Sequence, residues 1–344
     1  MKRRSLLKAG ALAGTLSNLP PAIRYSLADT PAQSVEQLPP LEGELTMYLG
    51  RGEGGLYESI LDAIRKRNPG LELGIRRGET AALGNTIVAE GKAGIRRADL
   101  FWAVDSGAIG LVDDAGLARA LPKDLIGQLN PEFRYPHWAP VSGRIRTVPY
   151  NTERLTAGDI PEQIMALADT DLKIGWAPAY GAFQSFVTAM RLLEGNDATI
   201  KWLHDMNSRA TSYAGELGMV MAVERGEVDV GFANHYYTLR LKSGKPDARV
   251  DLAFTKNDAG CLVNASGIVA LGDGDLPINF IRYLLTREVQ SYLAREAYEI
   301  PLVSGVEPPQ GLPSLNDISP PAVDLTRLAD LRPTLDLMRD AGVL

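Results

Sequence analysis

The chain has 344 residues and a formal net charge of −6, with 45% hydrophobic and 23% charged residues. This is an ordinary globular composition, and the length exceeds what one core usually holds, which points to two domains. A net acidic chain does not suit nucleic acid or an anionic lipid surface, and its single cysteine, Cys261, excludes a disulfide framework and a thiolate metal cluster.

The amino terminus carries the twin arginine Arg3-Arg4 in a basic stretch, ahead of a modest apolar run over 9–19. Ser26-Leu27-Ala28 has the small-residue pattern of a cleavage site, so residues 1–28 read as an export signal of the twin-arginine type. The run is too short, and too rich in Gly, Ala and Ser, to span a bilayer. Loss of this segment removes five basic residues and no acid, leaving a more acidic chain. No cysteine follows the signal to carry a lipid, so the expected location is free in a periplasm, without membrane insertion. Residues 29–41 are polar and Pro-rich and are expected to form a flexible leader.

A β-α-β-α-β pattern follows. Strands are expected over 44–49, 71–75 and 98–104, and helices over 56–66 and 81–90. A parallel sheet with helical crossovers is the natural class. Gly50, Gly52 and Gly55 satisfy G-x-G-x-x-G between a strand and a helix. With Glu79 for a ribose, or Arg76 and Arg77 for a 2′-phosphate, this fits a dinucleotide site. It equally fits a general anion site at a helix N-terminus, or a tight turn alone. Asp105, after the third strand, is placed to cap a helix over 108–115.

An extended stretch over 138–151 then carries the chain into a second α/β unit. Its strand over 172–176 ends in the loop Ala177-Pro178-Ala179-Tyr180-Gly181-Ala182. Helices are expected over 183–194, 198–206 and 217–225, with Glu216 on the loop before the last. A short buried strand over 228–233 stops at Asn234-His235-Tyr236-Tyr237. Adjacent residues on a regular strand point to opposite faces. Both phenols therefore serve one ligand only if the strand has already broken into a loop or a helix start. Three loops, carrying Tyr180, Glu216 and Tyr236-Tyr237, converge on one edge.

The stretch 260–271 is the expected return crossing. A helix over 278–296, an extended piece over 298–303 and helical structure over 324–344 complete the chain. This yields an α/β fold of two lobes, each a sheet flanked by helices, on a two-stranded hinge. Lobe 1 comprises 42–145 and 263–308, and lobe 2 comprises 146–262 and 309–344. Hinge closure on a ligand is a recognised use of that layout.

Several segments together resemble a family: Tyr48-Leu49-Gly50-Arg51-Gly52-Glu53, Ala98-Asp99-Leu100-Phe101-Trp102, Ser142-Gly143-Arg144-Ile145-Arg146, Ile174-Gly175-Trp176-Ala177-Pro178, Asn234-His235-Tyr236-Tyr237 and Glu299-Ile300-Pro301-Leu302-Val303. Over about residues 42–344 the chain is similar to the ferric-ion substrate-binding proteins of bacterial ABC transporters. The resemblance implies a type II periplasmic-binding-protein fold that holds Fe³⁺ in the interlobe cleft through the phenolates of Tyr236 and Tyr237. Some members add a histidine in the first-strand loop, where this chain has Gly52. Some add a glutamate after the third strand, where this chain has Val104 and then Asp105. Members that bind iron with phosphate use small residues in the Ala-Pro loop and an asparagine before the tyrosine strand. This chain has Tyr180 and Glu216 in those places. Tyr180 then reads as a third phenolate, although some subgroups carry their tyrosine where this chain has Ala182.

The chemistry agrees with such a site. Calcium and magnesium prefer carboxylates, carbonyls and water. Zinc favours His and Cys, and the chain holds three histidines and one cysteine. Ferric iron is a hard acid suited to phenolate; haem iron also takes tyrosine. The other positions fall to a synergistic anion (carbonate or phosphate), a water, or a carboxylate such as Glu53 or Asp105. Arg51, Glu216, Gly181, Ala182 and Asn234 are the further candidate contacts. There is no G-x-S-x-G elbow, H-E-x-x-H motif or P-loop to support catalysis. The expectation is a monomeric periplasmic receptor that delivers Fe³⁺ to an inner-membrane ABC permease. Its rivals are a binder of an organic anion or iron chelate on the same fold, and an exported nucleotide-dependent oxidoreductase using Gly50 to Gly55.

Overall fold

The computed structural model describes residues 30–50 and 56–344. The export signal over 1–28 and the candidates Arg51, Gly52, Glu53 and Gly55 lie outside the described residues.

The first unit runs β1 (Gly43–Leu49), α1 (Leu56–Arg67), β2 (Leu71–Arg77), α2 (Thr80–Lys92), β3 (Leu100–Ala103) and α3 (Ser106–Asp114). Strand β1 is parallel to both β2 and β3. Its side chains alternate between two apolar clusters: Leu45, Met47 and Leu49 pack with Ile60 and Trp102, while Tyr48 packs with Leu83 and Phe101. That is the two-residue period of a strand covered on both faces.

A short helix α4 (Lys123–Ile126) leads to β4 (Ala139–Asn151), which is buried along its whole length. The second unit contains β5 (Ile174–Trp176), α5 (Gly181–Glu194), α6 (Asn196–Asn207), β6 (Thr211–Ser212), α7 (Glu216–Arg225), β7 (Val230–Gly231), β8 (Ala233–Asn234), α8 (His235–Gly244) and β9 (Val250–Ala253). Then come β10 (Val263–Ala270), α9 (Leu276–Leu284), α10 (Arg287–Glu296), α11 (Leu315–Ile318) and α12 (Leu331–Asp340).

The sheet order is β2-β1-β3-β10-β4-β7-β5-β6, with β8 and β9 also on β4. Strand β4 changes partners midway. Residues from Ala139 to Ile145 pair with β10, and those from Arg146 to Asn151 with β7, β8 and β9. The two crossings meet there, where Arg146 N donates to Leu262 O at 2.9 Å. The fold is α/β with two lobes whose sheets share β4.

Three expectations change. The leader does not stay loose through residue 41. Ser34 caps a 3₁₀ turn over Val35–Gln37, Leu38 and Leu41 are buried, and Ala32 N donates to Ser304 O at 3.0 Å. The apolar members of that polar stretch find a surface in the first unit. The helix over 278–296 is two helices, because Thr286 takes an extended backbone that caps α10. The carboxyl-terminal segment does not belong to lobe 2 alone. A 3₁₀ turn over Leu325–Ala329 packs on α3, while α12 packs on α5 and α6. Gly110 permits the first contact, since a Cβ there would sit 2.8 Å from Thr326 O. Thr334 and Thr188, 2.9 Å apart, tie down the second.

Candidate metal centre

The expected strand over 228–233 is two short ladders on β4, β7 and β8. Asn234 keeps an extended backbone and ends β8, and α8 starts at His235. Tyr236 and Tyr237 therefore occupy the first turn of a helix. Successive side chains there turn by about 100° rather than 180°. The two rings lie 4.6 Å apart, tilted by 54°.

Tyr180 arrives from the other side. It follows β5 and stands at the N-cap of α5, with an extended backbone and no side-chain capping bond. Its phenol oxygen lies 2.8 Å from that of Tyr237. Asn234 Nδ2 donates to Tyr236 Oη at 3.3 Å. All three phenols gather at the amino ends of α5 and α8, where unpaired backbone N–H groups favour negative charge. Gly181 and Ala182 form the first turn of α5 and bring no donor beyond the backbone.

Burial raises the Tyr236 phenol pKa; the Arg144 guanidinium opposes this, and Glu216, Tyr180 and Glu299 add to it. Burial likewise raises Tyr237, helped by Tyr236, by the Tyr180 hydrogen bond and by Glu216. Both phenols are therefore protonated at neutral pH in the metal-free protein. Among the described residues no group of three or more His, Cys, Asp or Glu could hold a metal.

Glu216 is not a free ligand. It is 1% exposed, forms an ion pair with Arg146, and accepts from Asn234 N at 2.9 Å. Asp105 has the capping role, taking Ala108 N at 3.1 Å. The nucleotide reading loses its partners. Glu79 caps α2, Arg77 pairs with Glu58, and Arg76 donates to Tyr48 Oη at 3.0 Å.

His235 supports the site from behind. Ile145 N donates to Nδ1 at 3.2 Å, so Nδ1 is the acceptor, and Nε2 carries the proton and donates to Tyr298 O at 2.6 Å. Burial drives its pKa down to about 4, so the ring is neutral. It ties the first residue of α8 to β4 and to Tyr298, whose φ of 55° is left-handed.

Sequence reasoning noted Arg144, Arg146 and Glu299 within the segments of resemblance and gave them no part in the site. Arg144 Nη1 donates to Val104 O at 2.5 Å. Glu299 accepts from Tyr57 and Ser142 and sits within the field of His235 and Tyr236. The available signal was two arginines alternating with apolar residues in a crossing strand, where charge is costly unless paired.

No family model matches the chain. It is 31% identical over 300 residues to the Fe(3+)-binding periplasmic protein of Serratia marcescens, covering 84% of this chain and 88% of that one. It is 28% identical over 334 residues to the major ferric iron-binding protein of Neisseria meningitidis, covering 94% and 99%. Iron-bound HitA from Pseudomonas aeruginosa superposes with a TM-score of 0.77 at 27% identity, over 87% of this chain and 99% of that one. Both sequence relatives are ferric-iron-binding proteins, and no helix among the described residues is long and apolar enough to cross a membrane. The chain belongs to the family of periplasmic ferric-iron-binding proteins.

Proposed function

We propose that this protein captures Fe³⁺ between its lobes through the phenolates of Tyr236, Tyr237 and Tyr180, and delivers it to an inner-membrane ABC permease. The lobes are the units 42–145 with 263–308 and 146–262, the carboxyl-terminal segment lying across both. The observation that carries this reading is the meeting of three phenols where no cluster of imidazole, thiol or carboxylate competes among the described residues.

Ionising an ordinary phenol at pH 7 costs roughly 4 kcal/mol. Burial raises that cost at Tyr236 and Tyr237. A trivalent cation offsets it, because metal binding drives deprotonation of its ligands; a divalent oxygen-seeking ion does so far less well. Three phenolates neutralise Fe³⁺ and leave coordination positions for an anion, carbonate or phosphate, or for water. Gly181, Ala182 and Asn234 are the neighbours we propose at that space; Arg51 and Glu53, the further candidates from the sequence, lie outside the described residues. The twin-arginine signal at the amino terminus supports export to the periplasm.

The test is a visible absorption titration with ferric citrate, with Tyr236→Phe and Tyr237→Phe alongside. A tyrosinate-to-iron charge-transfer band that saturates at one iron per chain, and weakens or shifts in both variants, is the expected result. Iron left unbound and no band would end this reading in favour of an organic anion or an iron chelate.

A further inference from the structure

A cavity of ≈ 280 Å³ opens at the end of the first unit that lies away from the tyrosines. Arg144, whose charge bears on Tyr236, donates to Val104 O at the carboxyl end of β3. The cavity touches Ala98, ahead of β3, and Gly116 and Leu117, beyond the carboxyl end of α3. The nine residues of α3, about 13 Å of helix, separate it from Asp105. The ferric site makes no use of it.

Its lining has three parts. Ile87, Leu117 and Leu271 supply apolar surface, and Ile95, also in the lining, is 46% exposed. The second part is negative. Helices α2 and α3 both end here, followed by the left-handed glycines Gly94 and Gly116, where a Cβ would meet nothing within 4 Å. Helix carboxyl ends favour positive charge. Glu90, in the last turn of α2, adds a carboxylate 14% exposed, which accepts from the Tyr48 hydroxyl at 3.0 Å and lies 3.8 Å from Arg76. The third part is positive and comes from the connection between α2 and β3. Arg96 is committed to Asp273 at 2.8 Å. Arg97 lines the cavity and has no hydrogen bond or ion pair among the described residues.

A ligand with one charge alone is a poor match. A simple anion meets Glu90 and two negative helix ends, and a simple cation meets Arg96 and Arg97; like charges set against each other are disfavoured. A long acyl chain is too large, since the volume falls just under the roughly 300–1,000 Å³ of ordinary ligand pockets. A small molecule with both charges and a short apolar body suits all three parts. We propose that this cavity binds a free aliphatic α-amino acid of about the size of leucine. Its carboxylate pairs with Arg97, its ammonium faces Glu90 and the helix carboxyl ends, and its side chain packs on Ile87, Leu117 and Leu271. The inference is independent of the ferric reading.

Equilibrium dialysis of the purified protein against radiolabelled leucine tests this. One leucine should bind per chain, with the same affinity after ferric citrate is added and in Tyr236→Phe, because the cleft takes no part. Unlabelled competitors probe the two charges. 4-Methylpentanoate lacks the ammonium and 3-methylbutylamine lacks the carboxylate. Each should bind about tenfold more weakly than leucine, or worse, as the loss of a charge-assisted hydrogen bond requires. Arg97→Glu, at an exposed position, and Glu90→Gln should each weaken leucine binding to a similar degree. A thermal melt of each variant separates misfolding from lost affinity, and the competitor series stands without either variant. No retention of leucine at millimolar concentration would overturn the proposal. So would a folded Arg97→Glu that binds leucine as tightly as the wild type, or a competitor lacking one charge that binds as well as leucine. Displacement of leucine by ferric citrate would put the ligand in the cleft and overturn it too.

Discussion

The phenol oxygens of Tyr180 and Tyr237 lie 2.8 Å apart, although the two residues stand at the amino ends of different helices, α5 and α8. One hydroxyl donates to the other, a bond that iron binding by both phenolates would break. Tyr236→Phe and Tyr237→Phe should each lower ferric affinity by more than about 100-fold, beyond what loss of a supporting partner costs. Tyr180→Phe distinguishes a third ligand from a hydrogen-bond donor. As a ligand its loss matches the other two and shifts the charge-transfer band; as a donor it leaves the band in place. Chelator competition and visible spectra measure both.

Iron binding should release about three protons per metal, one from each phenol. Tyr236 and Tyr237 are raised above the ordinary phenol pKa, so at neutral pH every phenolate formed expels a proton. Affinity for free Fe³⁺ should then fall by up to about 1000-fold for each pH unit of acidification. Proton release into weakly buffered solution, followed with an indicator dye, gives the count directly. A count near zero would mean that the tyrosines do not bind as phenolates.

The metal-free fold should lose stability in mild acid through His235. Its folded pKa is lowered to about 4 from an ordinary 6.5. A group lowered in the folded state contributes stability above its unfolded pKa and loses it as pH falls toward the folded one. The window is therefore pH 6.5 down to about 4, and the loss is roughly 3 kcal/mol. Urea melts across that range test it. His235→Asn should flatten the dependence while lowering stability at pH 7.5, where the bonds to Ile145 and Tyr298 are intact.

Glu216→Ala should cost roughly 3–5 kcal/mol, because it leaves the Arg146 guanidinium buried and unpaired. Arg146 already has Nε and Nη2 without partners among the described residues. Replacing both members by apolar residues of similar volume should recover most of that loss. Chemical denaturation of the single and double variants measures the difference.

Gly231→Ala should destabilise the protein by about 1–3 kcal/mol with little effect on the iron spectrum. A Cβ at Gly231 would land on the Met219 sulfur and lie 3.0 Å from Gly175 O. Helix α7 can therefore lie close against β7 only over a residue without a side chain. A thermal melt paired with an iron titration separates the two effects.

Much of this was legible because it is local. The strand over 44–49, the helix over 56–66 and the capping role of Asp105 follow from neighbours in the chain. The 278–296 region misled because its apolar positions run past Thr286, where the backbone turns extended and the side chain donates back to Tyr283 O at 2.7 Å.

By itself the sequence determined the α/β class, the place of the crossings, the tandem tyrosines and the scarcity of histidine and cysteine that directs attention to phenols. Tertiary structure alone decided that Tyr180 meets Tyr237 across 57 residues of chain, that Glu216 is committed to Arg146 and Asn234, that His235 is neutral with its proton on Nε2, and that the carboxyl-terminal segment lies across both units. The division has one physical cause. Backbone propensity and hydrophobic period act over a few residues, whereas desolvation and the pairing of buried charge depend on groups brought together from distant parts of the chain.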